Sequence, residues 1–518
     1  MSRRERRLSL SRALLAALVV VSVALGSVAA VAAIRASQAG AAAPPPWFAP
    51  YVDATVTPQY PFEDPSGPSV RQVVLGFVVA SPTAPCTPSW GAAYSLASAA
   101  TGLDLDRRIV RLRQLGGHIV VSFGGQANSE LATACADPAA LASAYESVVS
   151  RYRLSTIDLD LEGAALGSAT VDARRAQAIH AAQETATAAH RRLAVWVTLP
   201  ATPAGLSDQG VAAVRSMLAA HVDLAGVNVM TMDYGQSLPR GQGMLTGSLD
   251  ALRAAQRQVA ALYQQAGMPL STLAAWGKIG ATPMIGTNDS PGEAFTLADA
   301  RGLTAFAQDH HLGRVSMWSL NRDSACSAGS VGASGSAGAT MVSNHCSGVA
   351  QAPLAFSQVF AELTGWVDAR PAARVSPTTS TPSVLVDNPA TSPYPIWIST
   401  AAYPRGTKIV WHHEVYQAKW WAQGQPPDPT VAHPWQTPWL LLGPVLPGDH
   451  PYVPPPLPVG TYPAWSPTGT YPVGERVQLD GVGYQAKWWT RGDRPQPVVV
   501  DPATAPWQVL TPALPSTG

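Results

Sequence analysis

The chain has 518 residues, 47% of them hydrophobic and only 13% charged, with a formal net charge of +1. Such a balance leaves no basic field to hold nucleic acid and no acidic tail for a basic partner, and the length exceeds what one core organises, so two or more domains are expected. Of 16 tryptophans, ten lie after position 390, in a Pro-rich region too short to bury them all, and exposed tryptophan implies a flat ligand.

Residues 1–45 read as an export segment. Arg3, Arg4, Arg6, Arg7 and Arg12 precede an uncharged run of 22 residues, 13–34, which is a basic start followed by an apolar stretch. Ser37 and Ala39 offer small residues for cleavage before Gly40. The run is also long enough to span a bilayer, so a retained signal anchor is the competing reading, and membrane attachment is expected only in that case. Both readings place everything from Pro44 onward outside the cytoplasm. Cys86, Cys135, Cys326 and Cys346 have no CxxC and no ligand-like His spacing. They are read as two disulfides, 86 with 135 and 326 with 346, and no metal site is expected.

From 46 to 368, short apolar runs alternate with segments of helical period, the pattern of repeated β/α units on a parallel sheet. Eight strands are expected, at 48–55, 72–79, 117–123, 156–160, 193–199, 224–230, 276–283 and 314–319. Helices are expected over 138–153, 173–191, 209–221, 249–266, 297–310 and 356–366. The first helix opens with Asp137 as N-cap and Pro138 at its first position. This order predicts an α/β fold, a (β/α)8 TIM barrel, with reactive groups at the C-terminal ends of its strands.

The fourth strand carries the densest chemistry. In Ser155-Thr156-Ile157-Asp158-Leu159-Asp160-Leu161-Glu162-Gly163, three acids alternate with aliphatics, so a strand places Asp158, Asp160 and Glu162 on one face. Carboxyls sharing a desolvated site cannot all ionise cheaply, and one can be held protonated near neutral pH, as a general acid requires. Further on, a Ser/Gly/Ala tract, 327–340, reads as a loose loop closed by the 326–346 disulfide.

Residues 369–392 are a Pro/Thr/Ser linker without core-forming power. An internal repeat follows. Trp397, Tyr416, Trp420, Trp421 and Trp439 recur 68 residues later as Trp465, Tyr484, Trp488, Trp489 and Trp507, and Tyr-Gln-Ala-Lys-Trp-Trp is identical in both copies. The copies are placed at 393–443 and 461–512, with a Pro-rich spacer, 444–460, between them. Each is short, poor in aliphatics and without cysteine, so a small all-β fold packed on Trp and Tyr is expected. Neighbouring residues on a strand face opposite ways, so at least one ring of Trp420-Trp421 must point outward as a stacking platform. Two such units on one chain add avidity on an immobile polymer.

Taken together these residues resemble a secreted chitinase of glycoside hydrolase family 18 with two C-terminal chitin-binding modules of the carbohydrate-binding family 5/12 type. The family's SxGG motif stands as Ser122-Phe123-Gly124-Gly125 and its DxxDxDxE motif as Ser155 through Glu162; strand six carries Val229-Met230-Thr231-Met232-Asp233-Tyr234 and strand eight ends in Met317-Trp318-Ser319. The resemblance implies a retaining, substrate-assisted mechanism without an enzyme nucleophile. Glu162 would be the acid, Asp160 would orient the substrate's acetamido group, and Asp158 would couple to Asp160. Trp318 would floor the cleaving subsite and Asp233 would bond substrate there, with Met230 and Gly124 also at substrate-binding positions. Trp397, Tyr416, Trp420 and Trp421, with Trp465, Tyr484, Trp488 and Trp489, would carry the modules' binding faces. The implied partners are chitin and chito-oligosaccharides, with no cofactor, and the implied state is an extracellular monomer.

Two positions depart from the family pattern. Ser155 stands for the first Asp of DxxDxDxE. Met232 stands where many members have a Tyr that bonds the acetamido carbonyl, a bond methionine cannot donate. Tyr234, two residues on, is the candidate substitute. No extra α/β insertion fits between strands seven and eight, and a shallow cleft favours internal cleavage. Two alternatives remain open: a glycosidase acting on another N-acetylglucosamine-containing glycan, and an inactive chitin-binding protein that keeps the barrel as scaffold.

Overall fold

The computed structural model describes residues 45–63, 71–327, 342–365, 386–427, 436–454, 456–496 and 505–510. The export segment as far as 44, nearly all of the Ser/Gly/Ala tract and the linker as far as 385 lie outside the described residues.

Eight parallel strand positions follow one another in the α/β domain. β1 comes in two pieces, Trp47–Phe48 and Tyr51–Asp53, and it is followed by β2 (Gln72–Ser81), β3 (His118–Gly124), β4 (Thr156–Asp160), β5 (Ala194–Thr202), β6 (Leu224–Met230), β7 (Ile279–Thr282) and β8 (Arg314–Val315). Pro50 lies between the two pieces of β1, and proline brings no N–H to a ladder. The first piece pairs with β8 and the second with β2. The remaining parallel pairings run from β2 through each successive strand to β8, so the series returns to the strand it began from. Every residue of β4 is buried, as expected of a strand covered by side chains within and helices outside.

Several boundaries differ from the sequence reading. Trp276, expected in strand seven, belongs to the helix Thr272–Gly277, whose Ser271 cap accepts the Ala274 N–H. The closing helix is Ala355–Phe360. Between β2 and β3 stand an antiparallel strand, Ala84–Trp90, and two helices, Leu96–Gly102 and Leu105–Gln114, none of which was anticipated. The second helix carries Arg107, Arg108, Arg111 and Arg113, of which Arg107 and Arg108 are buried and met by acids: Asp104 at 2.8 Å and Glu63 at 2.9 Å. Cys86 is bonded to Cys135 and Cys326 to Cys346, as paired from the sequence.

The two C-terminal units repeat one plan. The first has a three-stranded antiparallel sheet, Lys408–Trp411, Glu414–Ala418 and Trp439–Pro444; the second has Arg476–Leu479, Val482–Ala486 and Trp507–Leu510. Their small cores are built on Ile409, Tyr416 and Trp439, and on Val477, Tyr484 and Trp507.

The first unit is seated on the α/β domain. Arg107 reaches Asp449 at 3.0 Å, Tyr394 donates to Asp104 at 2.8 Å, Lys408 also pairs with Asp104, and a Cβ on Gly443 would stand 2.5 Å from the Arg107 carbonyl. Residues assigned to the linker and spacer also pack on this unit. Asp387 accepts the N–H groups of His412 and His413, and the Ser392 carbonyl accepts the Tyr452 N–H.

Candidate active site

Asp158, in the middle of β4, is wholly buried and points into the interior of the sheet. Its Oδ2 accepts from the Tyr51 hydroxyl at 2.8 Å and the Ser122 hydroxyl at 2.8 Å, and its Oδ1 from Thr198 at 2.7 Å and Arg314 at 2.6 Å. Four strands, β1, β3, β5 and β8, therefore converge on one carboxylate. Charge-assisted bonds of this length are the strong kind, and they offset the cost of burial. Arg314 is in turn enclosed by the rings of Trp47, Tyr51 and Trp196 at 5.3, 5.4 and 5.7 Å.

Asp160 lies at the strand's end, buried, with Oδ1 lacking a hydrogen-bond partner among the described residues. Burial, then the charges of Glu162 and Asp158, push its carboxyl well above the usual range, and Arg314 only partly opposes them. The proton is therefore held more tightly on Asp160 than on an ordinary aspartic acid. The backbone beside it explains the two glycines of Ser-Phe-Gly-Gly. Gly124 and Gly125 both have positive φ, a Cβ on Gly124 would collide with the Asp160 carbonyl, and the Gly125 N–H donates to that same carbonyl at 2.9 Å. Gly124 thus supports the acid cluster through its backbone.

Glu162 lies just past the strand, half-buried, in the wall of a cleft of about 300 Å³ shared with Gln126, Met230, Met232, Asp233 and Asp289. Burial, followed by the charge of Asp233, raises its carboxyl to about 7. The cleft thus presents a carboxyl that still carries a proton about half the time at neutrality, which is the state a proton donor needs.

Asp233 has a left-handed φ of 51° and accepts the Ser290 N–H at 3.0 Å; burial raises its carboxyl as well. That conformation overturns the role expected of Tyr234. Alternation would place Tyr234 beside Met232, but β6 ends at Met230 and the turn at Asp233 sends the Tyr234 ring into the hydrophobic core, where a Cβ on Gly247 would stand 3.1 Å from it. Tyr234 does not line the cleft, and Met232 does. Trp318 is half-buried, stacked on Phe77 at 5.6 Å and 6.2 Å from Tyr51, the residue bonded to Asp158.

Sequence reasoning missed Tyr51, Thr198 and Arg314 as partners of Asp158. The one signal was an arginine opening the short apolar strand β8. Gln126 and Asp289 carried none.

In the C-terminal units the aromatic residues divide. Trp420 and Trp421 are 44% and 59% exposed, and Trp488 and Trp489 are 42% and 62%. Both members of each pair face solvent because the strands end at Ala418 and Ala486, before the tryptophans. Lys419 and Lys487 lie 4.9 and 4.7 Å over Trp420 and Trp488. Tyr416 and Tyr484, expected at the binding face, are buried in the unit cores, and Trp397 and Trp465 are half-buried against those cores. Their rings supply the packing that aliphatics supply elsewhere.

Residues 464–508 match carbohydrate-binding module family 5/12. A probable bifunctional chitinase/lysozyme of Escherichia coli (strain K12) is 33% identical over 324 residues, which are 61% of this chain and 34% of that protein. Endochitinase 11 of Metarhizium anisopliae is 32% identical over 280 residues, 53% of this chain and 52% of that one. The chain therefore spans about a third and about half of these two curated relatives. Among solved structures, active domain 2 of a chitinase from Pyrococcus furiosus superimposes with a TM-score of 0.52 at 26% identity, covering 62% of this chain and 96% of that one. A further structure of that domain, with catalytic-site mutations, is complexed with chito-oligosaccharides; it has the same TM-score and identity and covers 95% of that chain.

Proposed function

We propose that this chain is a chitinase of glycoside hydrolase family 18, in which a (β/α)8 barrel over 46–368 hydrolyses the β-1,4 links of chitin and chito-oligosaccharides. Two modules of the family 5/12 type hold it on the polymer. The observation that carries this reading is the acid cluster itself: Glu162, raised to about 7 in the cleft wall, beside Asp160, whose carboxyl is pushed up by burial and by its acidic neighbours and whose Oδ1 is unpartnered.

In the mechanism this arrangement supports, Glu162 donates its proton to the glycosidic oxygen as the bond to the anomeric carbon breaks. The carbonyl oxygen of the substrate's own acetamido group attacks that carbon, giving a cyclic oxazolinium ion. The unpartnered Oδ1 of Asp160 is available to the acetamido N–H and orients the group for attack. Glu162, now a carboxylate, takes a proton from the incoming water, which attacks the same carbon; the sugar leaves with retained configuration and Glu162 is again an acid. Asp158, locked by four donors, holds β4 in place beneath the reacting groups. Met232 offers the acetamido carbonyl no hydrogen bond, so its positioning falls to Asp160 and Asp233. The small, open cleft favours internal cleavage, and residues 1–45 would direct export to the extracellular space.

Release of reducing ends from colloidal chitin tests the proposal. Activity from the wild type and about a hundredth of it or less from Glu162→Gln is expected. A wild-type protein that binds chitin but releases nothing would leave only the binding role.

A further inference from the structure

A buried charge cluster that the mechanism above does not use stands directly behind the catalytic turn. Glu130 caps the short helix Leu131–Ala134 and is nearly inaccessible. It accepts the Thr133 N–H at 3.0 Å, the Tyr145 hydroxyl at 2.9 Å and two guanidinium nitrogens of Arg175 at 3.0 and 3.3 Å. Arg175, wholly buried on the helix Ala169–Ala188, also donates to Asp172 at 2.8 Å and to the Ala165 carbonyl at 2.8 Å.

The last contact ties this cluster to the site. Ala165 closes the turn Gly163–Ala165, of which Glu162 is the N-cap, and its N–H returns to the Glu162 carbonyl at 2.9 Å. On the other flank, the Cγ of Glu130 lies 3.5 Å from where a Cβ on Gly124 would stand, and Gly124 is the residue that admits the Asp160 carbonyl. One ion pair therefore abuts the backbone on both sides of the acid. Buried ion pairs are weak sources of net stability, and apolar residues of equal volume often do as well or better. What they supply well is fixed geometry, because both planar groups are held by several directional bonds.

We propose that Arg175 and Glu130 are positioning residues that fix the turn Gly163–Ala165, and with it the direction in which Glu162 presents its carboxyl to the cleft. The inference rests on Glu162 being the acid of the proposed chitinase. Besides this turn, the charged groups around Glu162 are Asp160 on its own strand, Asp233 and Asp289 in the cleft, and Asp158 with Arg314 beneath.

The test is the double variant Glu130→Leu/Arg175→Met in the full chain. It removes one negative and one positive charge together, so any change at Glu162 comes from geometry and water access instead of net charge. With 13C-labelled glutamate, and Glu162→Gln to assign the signal, the carboxyl of Glu162 is expected to titrate lower by about half a unit or more as water reaches it. On a soluble chito-oligosaccharide, kcat should fall roughly 10- to 100-fold while KM stays within about twofold, since misplacement of about 1 Å costs that much. Arg175→Lys, which keeps the charge and fits the site more conservatively, should recover part of that loss and serves alone if the double variant does not fold. A folded variant with lowered Tm but unchanged titration and kcat would overturn the proposal and leave the cluster a structural prop. The titration needs no substrate, so it decides the matter even if the wild type cleaves no chitin and the functional reading falls.

Discussion

Asp158 gathers its donors from four strands, one of them 156 residues away in sequence, whereas Trp420 and Trp421 stand in solvent just past a strand that local sequence defines. The first arrangement works by desolvation: buried charges shift one another, and each partner removed leaves another unpaired. The second works by exposure, through neutral rings; the charged neighbour over one ring of each pair, Lys419 or Lys487, is itself partly exposed. Single changes in the cleft should therefore act steeply and through protonation, while changes at the aromatic faces should act mildly and be indifferent to pH and salt.

The steepest contrast is expected from Glu162→Gln. An amide of the same shape cannot donate the acid's proton, so kcat should fall about 10²- to 10⁴-fold. Binding to insoluble chitin, measured by co-sedimentation, should be nearly unchanged, because the rings of Trp420, Trp421, Trp488 and Trp489 are untouched. If the variant kept a tenth or more of wild-type turnover, the acid would have to be sought elsewhere.

Next comes Arg314→Met, which leaves Asp158 buried without its countercharge. Both side chains are fully buried and paired at 2.6 Å. Removing one partner of such a pair costs about 3–5 kcal/mol, read from the midpoint and slope of denaturant unfolding of the α/β domain. A loss under about 1 kcal/mol would mean that the hydroxyls of Tyr51, Ser122 and Thr198 suffice to hold the carboxylate.

Why the sequence disclosed one region more readily than the other follows from the same contrast. Asp158, Asp160 and Glu162 were legible because strand alternation is local, and the repeat was legible because a constant offset needs no fold to be seen. Thr198 meets Asp158 once β5 pairs with β4, and Tyr51 and Arg314 only when the parallel pairings close on β1, long-range events that no local pattern encodes. Tyr234 was misplaced because alternation holds only inside a strand, and the left-handed Asp233 ends it. Tyr416 and Tyr484 were misassigned because a small unit with few aliphatics buries the tyrosines of its own signature motif. The seating of the first unit on the helix Leu105–Gln114 was hidden for a similar reason: Arg107 has Asp104 three residues away, but Asp449 reaches it only when the unit packs on the helix.

The pH response should separate the regions more gently. As the proposed acid, Glu162 would have to be protonated to act, so kcat/KM on soluble oligomers should decline as pH rises through about 7, approaching tenfold per unit beyond it. Stability should move the same way. Asp160 and Glu162 hold their protons more tightly when folded than when unfolded, so the unfolded chain releases protons first as pH rises. Their contribution to stability is therefore greatest below the ordinary carboxylate range and is lost toward neutrality. Binding to chitin should stay flat across that interval.

The smallest effects, and the finest comparison, lie between the two repeated units. Replacing Trp420 and Trp421, or Trp488 and Trp489, by Ala should lower activity on crystalline chitin several-fold and leave soluble oligomers unaffected, because short substrates fill only the cleft. Raised salt should barely weaken binding by either pair, since stacking carries the contact and screening acts on charges. The pairs should still differ in what rescues them. The first unit is held to the α/β domain through Asp104, Arg107, Lys408 and Asp449, so its rings keep one bearing relative to the cleft. Lys408 has Arg476 as its counterpart in the second unit, where Arg476 lies 5.9 Å over Tyr462 instead of meeting an aspartate of the α/β domain. Lys408→Met combined with Asp449→Asn should consequently lower activity on crystalline chitin while Trp420 and Trp421 are intact, and should add little once they are replaced. Such non-additivity would locate the benefit in the fixed bearing of the first platform. Additive losses would mean that the seating contributes stability alone, and that both units act as independent anchors.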